Sequence, residues 1–439
     1  MGFETLITKP HLRQTVGMIL LFSILIAGCV GGGVAPAPTP TIKLVLPTIG
    51  ADSPANDITP GPIHGLTPLD PPDITTLTPT STLTATPSPE LGWAIQTLDS
   101  QSNVDGFFSL AVDSQGNPHV AYLNEISQNH EVLLYNTRQG GTWLSRSIPV
   151  LNNADMQTMG QRAGYMASLA IDPGDVPHVS YLVLDTRRVF VSSRIGSGWD
   201  PTLVEVLNTD RGAALTDMDT SLGIGANGDM HLVTPDPDQG YLLKYYVNQT
   251  GAWEEVEITP SVWVNPAGVT IPLAVYGDVA SVAYYDNGLY YLSLVEGQAP
   301  QPVDLGATVG LMPALAFDVQ GSPHIVYYDA GNLQLKHACL REATWEIDVV
   351  QTNIKVGRYP GIAIAPDGGI HLSYYDKNNG DLLYAYQRPG GTEFDITVVD
   401  SPGTVGTFSC IGLNADNRPM IIYFDDDHKN LKFAELVVR

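Results

Sequence analysis

Three arginines, Arg162, Arg211 and Arg358, each stand a few residues ahead of a similar apolar run, in a chain with 21 basic against 46 acidic side chains. Arginines that converge can clamp a carboxylate, sulfate or phosphate, because a planar guanidinium hydrogen-bonds such groups in pairs. Tyr165 and Tyr359 lie close by in sequence and offer rings for stacking on a sugar. The competing expectation is that these arginines pair with acidic neighbours such as Asp210, Asp217 and Asp219. A second set is Asp286, Asp329, Asp376 and Asp425, three of them in Tyr-Asp pairs. Clustered carboxylate oxygens can hold calcium, the one cofactor the chain suggests. No EF-hand spacing accompanies them, and repeated aspartates also cap turns.

His119, His178, His231, His324 and His371 recur at one position of a repeated segment. Equivalent positions on separate structural units cannot share a coordination sphere, so these side chains are expected to make structural hydrogen bonds. Cys339 and Cys410 are a whole repeat apart and are expected to stay reduced; no Cys-x-x-Cys pair occurs. Gly-x-Ser-x-Gly, P-loop and His-Glu-x-x-His motifs are absent as well, so no catalytic residue is assigned.

The element that positions these groups is the repeat itself. Ser109-Leu-Ala-Val-Asp113-Ser-Gln-Gly116-Asn-Pro118-His119-Val-Ala-Tyr122 returns at Ser168–Tyr181, at Ala314–Tyr327 and at Gly361–Tyr374. Ser221–Thr234 and Leu273–Tyr284 are looser copies, and Ile411–Tyr423 carries Met420 in the histidine's place. Seven copies at a spacing of roughly 43–59 residues match the period of a propeller blade. Each copy reads as four short strands. An apolar run is strand A, Asp-x-x-Gly-x-Pro is a hairpin turn, and His-x-x-Tyr opens strand B. Strand C is apolar, as in Leu382–Tyr386, and strand D often bears tryptophan: Trp143, Trp199, Trp253 and Trp345.

The last copy stops after strand C, while residues 92–98 (Gly-Trp-Ala-Ile-Gln-Thr-Leu) look like a strand D without a blade. Joined, they close a ring and leave no unpaired edge. The expectation is an all-β, seven-bladed β-propeller over residues 91–439, with six blades and a degenerate copy as the competing count. In such blades the D–A and B–C connections share one face of the disc, and the A–B and C–D turns share the other. The first face carries the longest connections, residues 152–166 and 207–219, and is the expected binding face.

Residues 1–28 read as an export signal, with Lys9 and Arg13 ahead of the apolar run Val16–Ala27. Leu25-Ile-Ala-Gly-Cys29 resembles the bacterial lipobox, which implies cleavage before Cys29 and acylation of its thiol. Residues 29–90, rich in proline and threonine, form an extended stalk. The chain is thus expected in the cell envelope, outside the cytoplasmic membrane and held to it only by lipid, as a monomer. A formal net charge of -25 disfavours nucleic acid as a partner.

The Ser-Leu-Ala-x-Asp-x-x-Gly-x-Pro-His-x-x-Tyr-Tyr-Asp pattern resembles that of bacterial secreted propellers loosely grouped with the sialidase-like superfamily. The resemblance implies a propeller from Trp93 to the end and, with Arg162, Arg211 and Arg358, a glycoside hydrolase or lyase working from the arginine-bearing face. The regular blades, the lack of a catalytic motif and the export anchor point instead to a non-enzymatic module for glycan or protein ligands. The acidic turn lies between strands A and B, whereas sialidase Asp boxes lie between C and D, and the Arg-Ile-Pro motif is absent. Both departures favour the binding module.

Overall fold

The computed structural model describes residues 90–100, 103–127, 130–149, 163–183, 186–207, 219–265, 270–355 and 360–439. They form seven four-stranded antiparallel sheets, and the one helical turn among the described residues is Pro237–Gln239. Blade 1 is β2 (Asn103–Val112), β3 (Pro118–Ser127), β4 (His130–Gln139) and β5 (Thr142–Ser147). Blade 2 is β6 (Ala163–Ile171), β7 (Pro177–Val183), β8 (Arg188–Ile195) and β9 (Gly198–Val206). Blade 3 is β10 (Ser221–Ile224), β11 (Met230–Asp236), β12 (Leu242–Asn248) and β13 (Trp253–Val256). Blade 4 is β14 (Leu273–Tyr276), β15 (Val279–Tyr285), β16 (Gly288–Ser293) and β17 (Gln301–Leu305). Blade 5 is β18 (Val309–Phe317), β19 (Pro323–Asp329), β20 (Gln334–Arg341) and β21 (Thr344–Thr352). Blade 6 is β22 (Gly361–Ile364), β23 (Ile370–Asp376), β24 (Asp381–Gln387) and β25 (Phe394–Asp400).

Blade 7 takes β26 (Val405–Leu413), β27 (Pro419–Asp425) and β28 (Asn430–Val438) from the carboxyl end and β1 (Leu91–Asp99) from the other, in the order β1-β28-β27-β26. β1 pairs with β28 from Leu91↔Val438 to Asp99↔Leu431, so the ring closes as the sequence predicts. The Arg439 N–H donates to the Glu90 carbonyl at 2.8 Å, which places the two ends side by side.

Strand B lies between neighbouring blades on both faces, and this explains its composition. Pro177–Val183, Pro323–Asp329, Ile370–Asp376 and Pro419–Asp425 are buried at every residue. A strand covered on both faces reads as nearly continuous apolar residues instead of an alternation. Strand D is the solvent-facing edge, and Thr142–Ser147 is buried at no position.

Neighbouring blades are joined by contacts that recur around the ring. A strand-D aromatic packs edge-on against a strand-C ring of the preceding blade. The pairs are Trp93–Tyr384 (5.2 Å between centroids), Trp143–Phe433 (5.1 Å), Trp199–Tyr135 (5.1 Å), Trp345–Tyr291 (5.5 Å) and Phe394–His337 (5.9 Å). These contacts explain the strand-D tryptophans. A strand-B tyrosine hydroxyl also donates to strand D of the preceding blade: Tyr122 to Asp99 (3.0 Å), Tyr327 to Asp304 (2.7 Å), Tyr374 to Gln351 (2.7 Å) and Tyr423 to Asp400 (2.6 Å). Hydrogen bonds to a charged partner contribute about 1.5–3 kcal/mol each. Asp99 and Trp93 make both contacts from β1, so this segment is a true strand D.

Further in, the Ser109, Ser168 and Ser221 hydroxyls accept from the N–H groups of Leu169, Leu222 and Leu273 in the next blade, at 3.0, 3.1 and 3.0 Å. Cys410 stands at the same repeat position, and its sulfur accepts from the Leu110 N–H. Cys410 precedes the apolar run that marks strand A in the sequence repeat, yet it lies inside β26, because the strand begins earlier than that run. Strand A of blades 1, 2, 5 and 7 continues past a bulge, where Met166, Met312 and Phe408 take positive φ (51°, 52° and 57°). The same extension places Tyr165 within β6. Burial pushes the Cys410 thiol up to about 12 and that of Cys339 up to about 11, and both are free thiols.

The A–B turn is built by its aspartate. Asp113 Oδ1 accepts from the N–H groups of Gln115 (3.0 Å) and Asn117 (2.7 Å), and Gly116 closes the turn at φ 79°. A Cβ on Gly116 would meet the Ala415 backbone of blade 7 at 2.2 Å, so glycine is required there for space as well.

Candidate functional site

Arg162, Arg211, Arg358 and Tyr359 lie outside the described residues, and Tyr165 is described only as a backbone position of β6. The four aspartates of the calcium reading sit on four different blades. Asp329 accepts from the Asn332 N–H (3.1 Å) and pairs with Lys336 (2.8 Å). Asp376 accepts from the Asn378 N–H (2.8 Å) and the Asn379 amide (2.6 Å). Asp425 meets His428 at 3.0 Å, and exposed Asp286 accepts from Asn287 at 3.2 Å. Each caps its own B–C turn. Among the described residues no three His, Cys, Asp or Glu side chains gather as a metal site.

The histidines sit on separate blades and are hydrogen-bonded within them. His119, His178 and His324 each place Nε2 against the A–B turn aspartate, at 3.3 Å from Asp113, 3.3 Å from Asp172 and 3.4 Å from Asp318. Their Nδ1 atoms meet strand C: the Tyr135 hydroxyl, Ser193 (2.7 Å) and His337 (2.9 Å). His231 and His371 meet Tyr245 (2.8 Å) and Tyr384 (2.7 Å) in the same way. Burial lowers the pKa of all five, to about 4 for His324 and His371.

A second buried titratable group stands at the start of blade 3. Asp219 accepts from the Ile271 N–H of blade 4 at 3.0 Å, and burial pushes its carboxyl up to about 7.

A cavity of about 600 Å³ opens between blades 1 and 2, on the face of the A–B and C–D turns. This is the face opposite the expected one. Its size falls within the range of about 300–1,000 Å³ usual for ligand pockets. Asp113, Gln115, Asn117, His119 and Gln139 line it from blade 1, and Asp175 and Arg194 from blade 2. Most of these groups are already engaged. Asp113 takes the two turn N–H groups, the Asn117 amide (2.9 Å) and His119, and it is held below the usual carboxylate range despite partial burial. Asp175 accepts from the Ser114 N–H (2.8 Å) and hydroxyl (2.6 Å), a bond that crosses the seam. Arg194 lies over the Tyr135 ring, 5.6 Å from its centroid, and its Nε reaches the Gly196 carbonyl at 3.4 Å. Among the described residues no carboxylate pairs with this guanidinium.

The neighbouring seam, between blades 7 and 1, repeats the construction with different residues. Arg138, at the strand-C position of Arg194, lies 5.1 Å from the Phe433 ring centroid. It is held in a fork by Glu435, at 2.7 and 3.0 Å, and Asn414 donates to the same carboxylate at 3.0 Å.

Sequence reasoning did not single out Arg138 or Arg194. The available signal was positional: both arginines directly follow the residue paired with the repeat histidine, at Thr137↔His119 and Ser193↔His178.

No protein-family model matches the chain, and no curated protein matches it. Among solved structures it is similar to AofleA from Arthrobotrys oligospora, at 11% identity and TM-score 0.47, covering 71% of this chain and 91% of that chain. It is similar to polysaccharide lyase Uly1 at 11% identity and TM-score 0.46, covering 75% and 89%. A mutant NanB sialidase from Streptococcus pneumoniae matches at 11% identity and TM-score 0.40, covering 77% and 68%. None of them transfers a residue's role to this chain.

Proposed function

We propose that the protein is a non-catalytic carbohydrate-binding propeller, displayed outside the cytoplasmic membrane on a lipid attached to Cys29 and a stalk over residues 29–90. The observation that carries this reading is the polar cavity between blades 1 and 2, lined by amide, carboxylate, imidazole and guanidinium groups suited to hydroxyl recognition. Its titratable groups favour binding over cleavage. A general acid for glycoside chemistry needs a carboxyl with a raised pKa. Asp113 is instead lowered by its hydrogen bonds, and burial lowers His119.

All seven seams and the ring closure are made within residues 90–439, so a Thr84–Arg439 fragment should fold by itself. On a glycan array this fragment is expected to bind a limited set of oligosaccharides and to release no product from them. Product release from a bound glycan would establish a hydrolase or lyase instead. Absence of binding to any glycan would leave a protein ligand in its place. For the anchor, Cys29→Ala is expected to abolish incorporation of labelled fatty acid; unchanged labelling would refute lipidation at that residue.

A further inference from the structure

We propose that the cavity between blades 1 and 2 recognises an acidic glycan, with the carboxylate of a uronate sugar seated in a fork on Arg194. This rests on the reading of the cavity as a glycan site and names its ligand class.

The argument comes from comparing two copies of one seam in the same molecule. In both, a strand-D tryptophan packs edge-on against a strand-C ring at 5.1 Å, Trp143 on Phe433 and Trp199 on Tyr135. In both, a strand-C arginine lies over that ring, Arg138 at 5.1 Å and Arg194 at 5.6 Å. The seams then diverge at the strand-C residue two positions beyond that ring. Glu435 pairs across its blade with Met420, and Thr137 pairs across its blade with His119, the residue equivalent to Met420. The seam between blades 7 and 1 therefore supplies its own carboxylate, which grips Arg138 with two hydrogen bonds. The seam between blades 1 and 2 has the short Thr137 there, and a cavity opens beside an arginine that lacks a carboxylate partner among the described residues.

Charge and size narrow the occupant. Asp113 and Asp175 also line the cavity, but the hydrogen bonds described above already engage both. The guanidinium is the strong donor without a carboxylate partner among the described residues, its Nε reaching only the Gly196 carbonyl at 3.4 Å and its charge lying beside Tyr135, and a carboxylate is what the molecule itself places against its counterpart. The cavity exceeds the space of one carboxylate, and Gln115 and Gln139 offer exposed amides at its rim for sugar hydroxyls. A short oligouronate meets both conditions. A free inorganic anion would leave most of the cavity empty.

The test is calorimetry on the full chain, kept soluble with detergent, using three oligosaccharides: a trigalacturonate, its methyl ester and a sulfated trisaccharide that carries no carboxylate. The trigalacturonate is expected to bind. Methyl esterification and Arg194→Gln should each weaken binding by roughly tenfold to a hundredfold, as expected for one charge-assisted hydrogen-bonded pair. The double variant Thr137→Glu with Asp113→Asn introduces counterparts of Glu435 and Asn414 at the equivalent positions. It is expected to fold, to raise the melting temperature, and to lose uronate binding because the new carboxylate occupies Arg194. Equal binding of acid and ester would overturn the carboxylate assignment while leaving a glycan site standing. Undiminished uronate binding in either variant, preference for the sulfated sugar, or no uronate binding at millimolar concentration would also overturn it.

Discussion

Deletion of Leu91–Asp99 is expected to lower the melting temperature by roughly 10 °C or to abolish cooperative folding. β1 supplies the outer strand of blade 7, and its removal leaves β28 as an open edge along eight paired residues. Trp93 also leaves the Tyr384 ring, and Asp99 leaves the Tyr122 hydroxyl. Loss of a well-packed tryptophan costs about 3–5 kcal/mol, and the charged hydrogen bond adds about 1.5–3 kcal/mol. At about 2.1 cal/mol/K of unfolding entropy per residue, each kcal/mol is worth roughly 1–2 °C in a propeller of this length. A circular permutant separates ring closure from ordinary loss of residues. Residues 91–99 moved behind Arg439 through a short turn would form a C–D hairpin like those of other blades, because the two ends already share a hydrogen bond. Thermal unfolding should show the deletion destabilised and the permutant restored. Equal melting temperatures for deletion and parent would remove β1 from its place in the ring.

Acidification from pH 7 to pH 4 is expected to destabilise the propeller strongly. The five repeat histidines are held neutral by burial, with His324 and His371 displaced from 6.5 to about 4. The sign follows from linkage. A histidine whose folded pKa lies below its unfolded value binds fewer protons in the folded state. As pH falls through 6.5 toward 4 the unfolded chain takes up protons, so stability is present above pH 6.5 and is lost progressively below it. Each of the two displacements corresponds to about 3 kcal/mol, and together they approach the net stability of an ordinary domain, about 5–15 kcal/mol.

Asp219 acts in the opposite sense. Its carboxyl is raised from 3.8 to about 7, so its contribution is present below pH 4 and is lost as pH rises toward 7. Asp219→Asn keeps an acceptor for the Ile271 N–H. It should stabilise the protein at pH 8, by at most about 4 kcal/mol, and change little at pH 4. His371→Gln should flatten the acid limb. Urea midpoints measured across pH 4–8 check all three expectations. A midpoint that is flat between pH 7 and pH 4 in Asp219→Asn, where the opposing carboxyl is gone, would show that the histidines are not held neutral.

What the sequence alone determined is the architecture, because each blade is written locally. Asp113, Gly116 and Pro118 make a hairpin turn from neighbouring residues, and recurrence of that turn counts the blades. The missing strand D at the carboxyl end and the surplus strand at Gly92–Leu98 likewise sit in plain view along the chain. Local pattern also separated the histidines, since equivalent residues in a ring stand apart. The bulged starts of strand A were not legible: Cys410 and Tyr165 stand in segments that become strand only through pairing with strand B. Tertiary structure alone decided the candidate site. Arg194 and Tyr135 are 59 positions apart, and Arg138 and Glu435 are 297 apart. Nothing in either local segment shows that one arginine meets a carboxylate across its seam while the other does not. That difference depends on which side chains adjacent blades bring face to face, a property of packing between repeats that no single repeat contains.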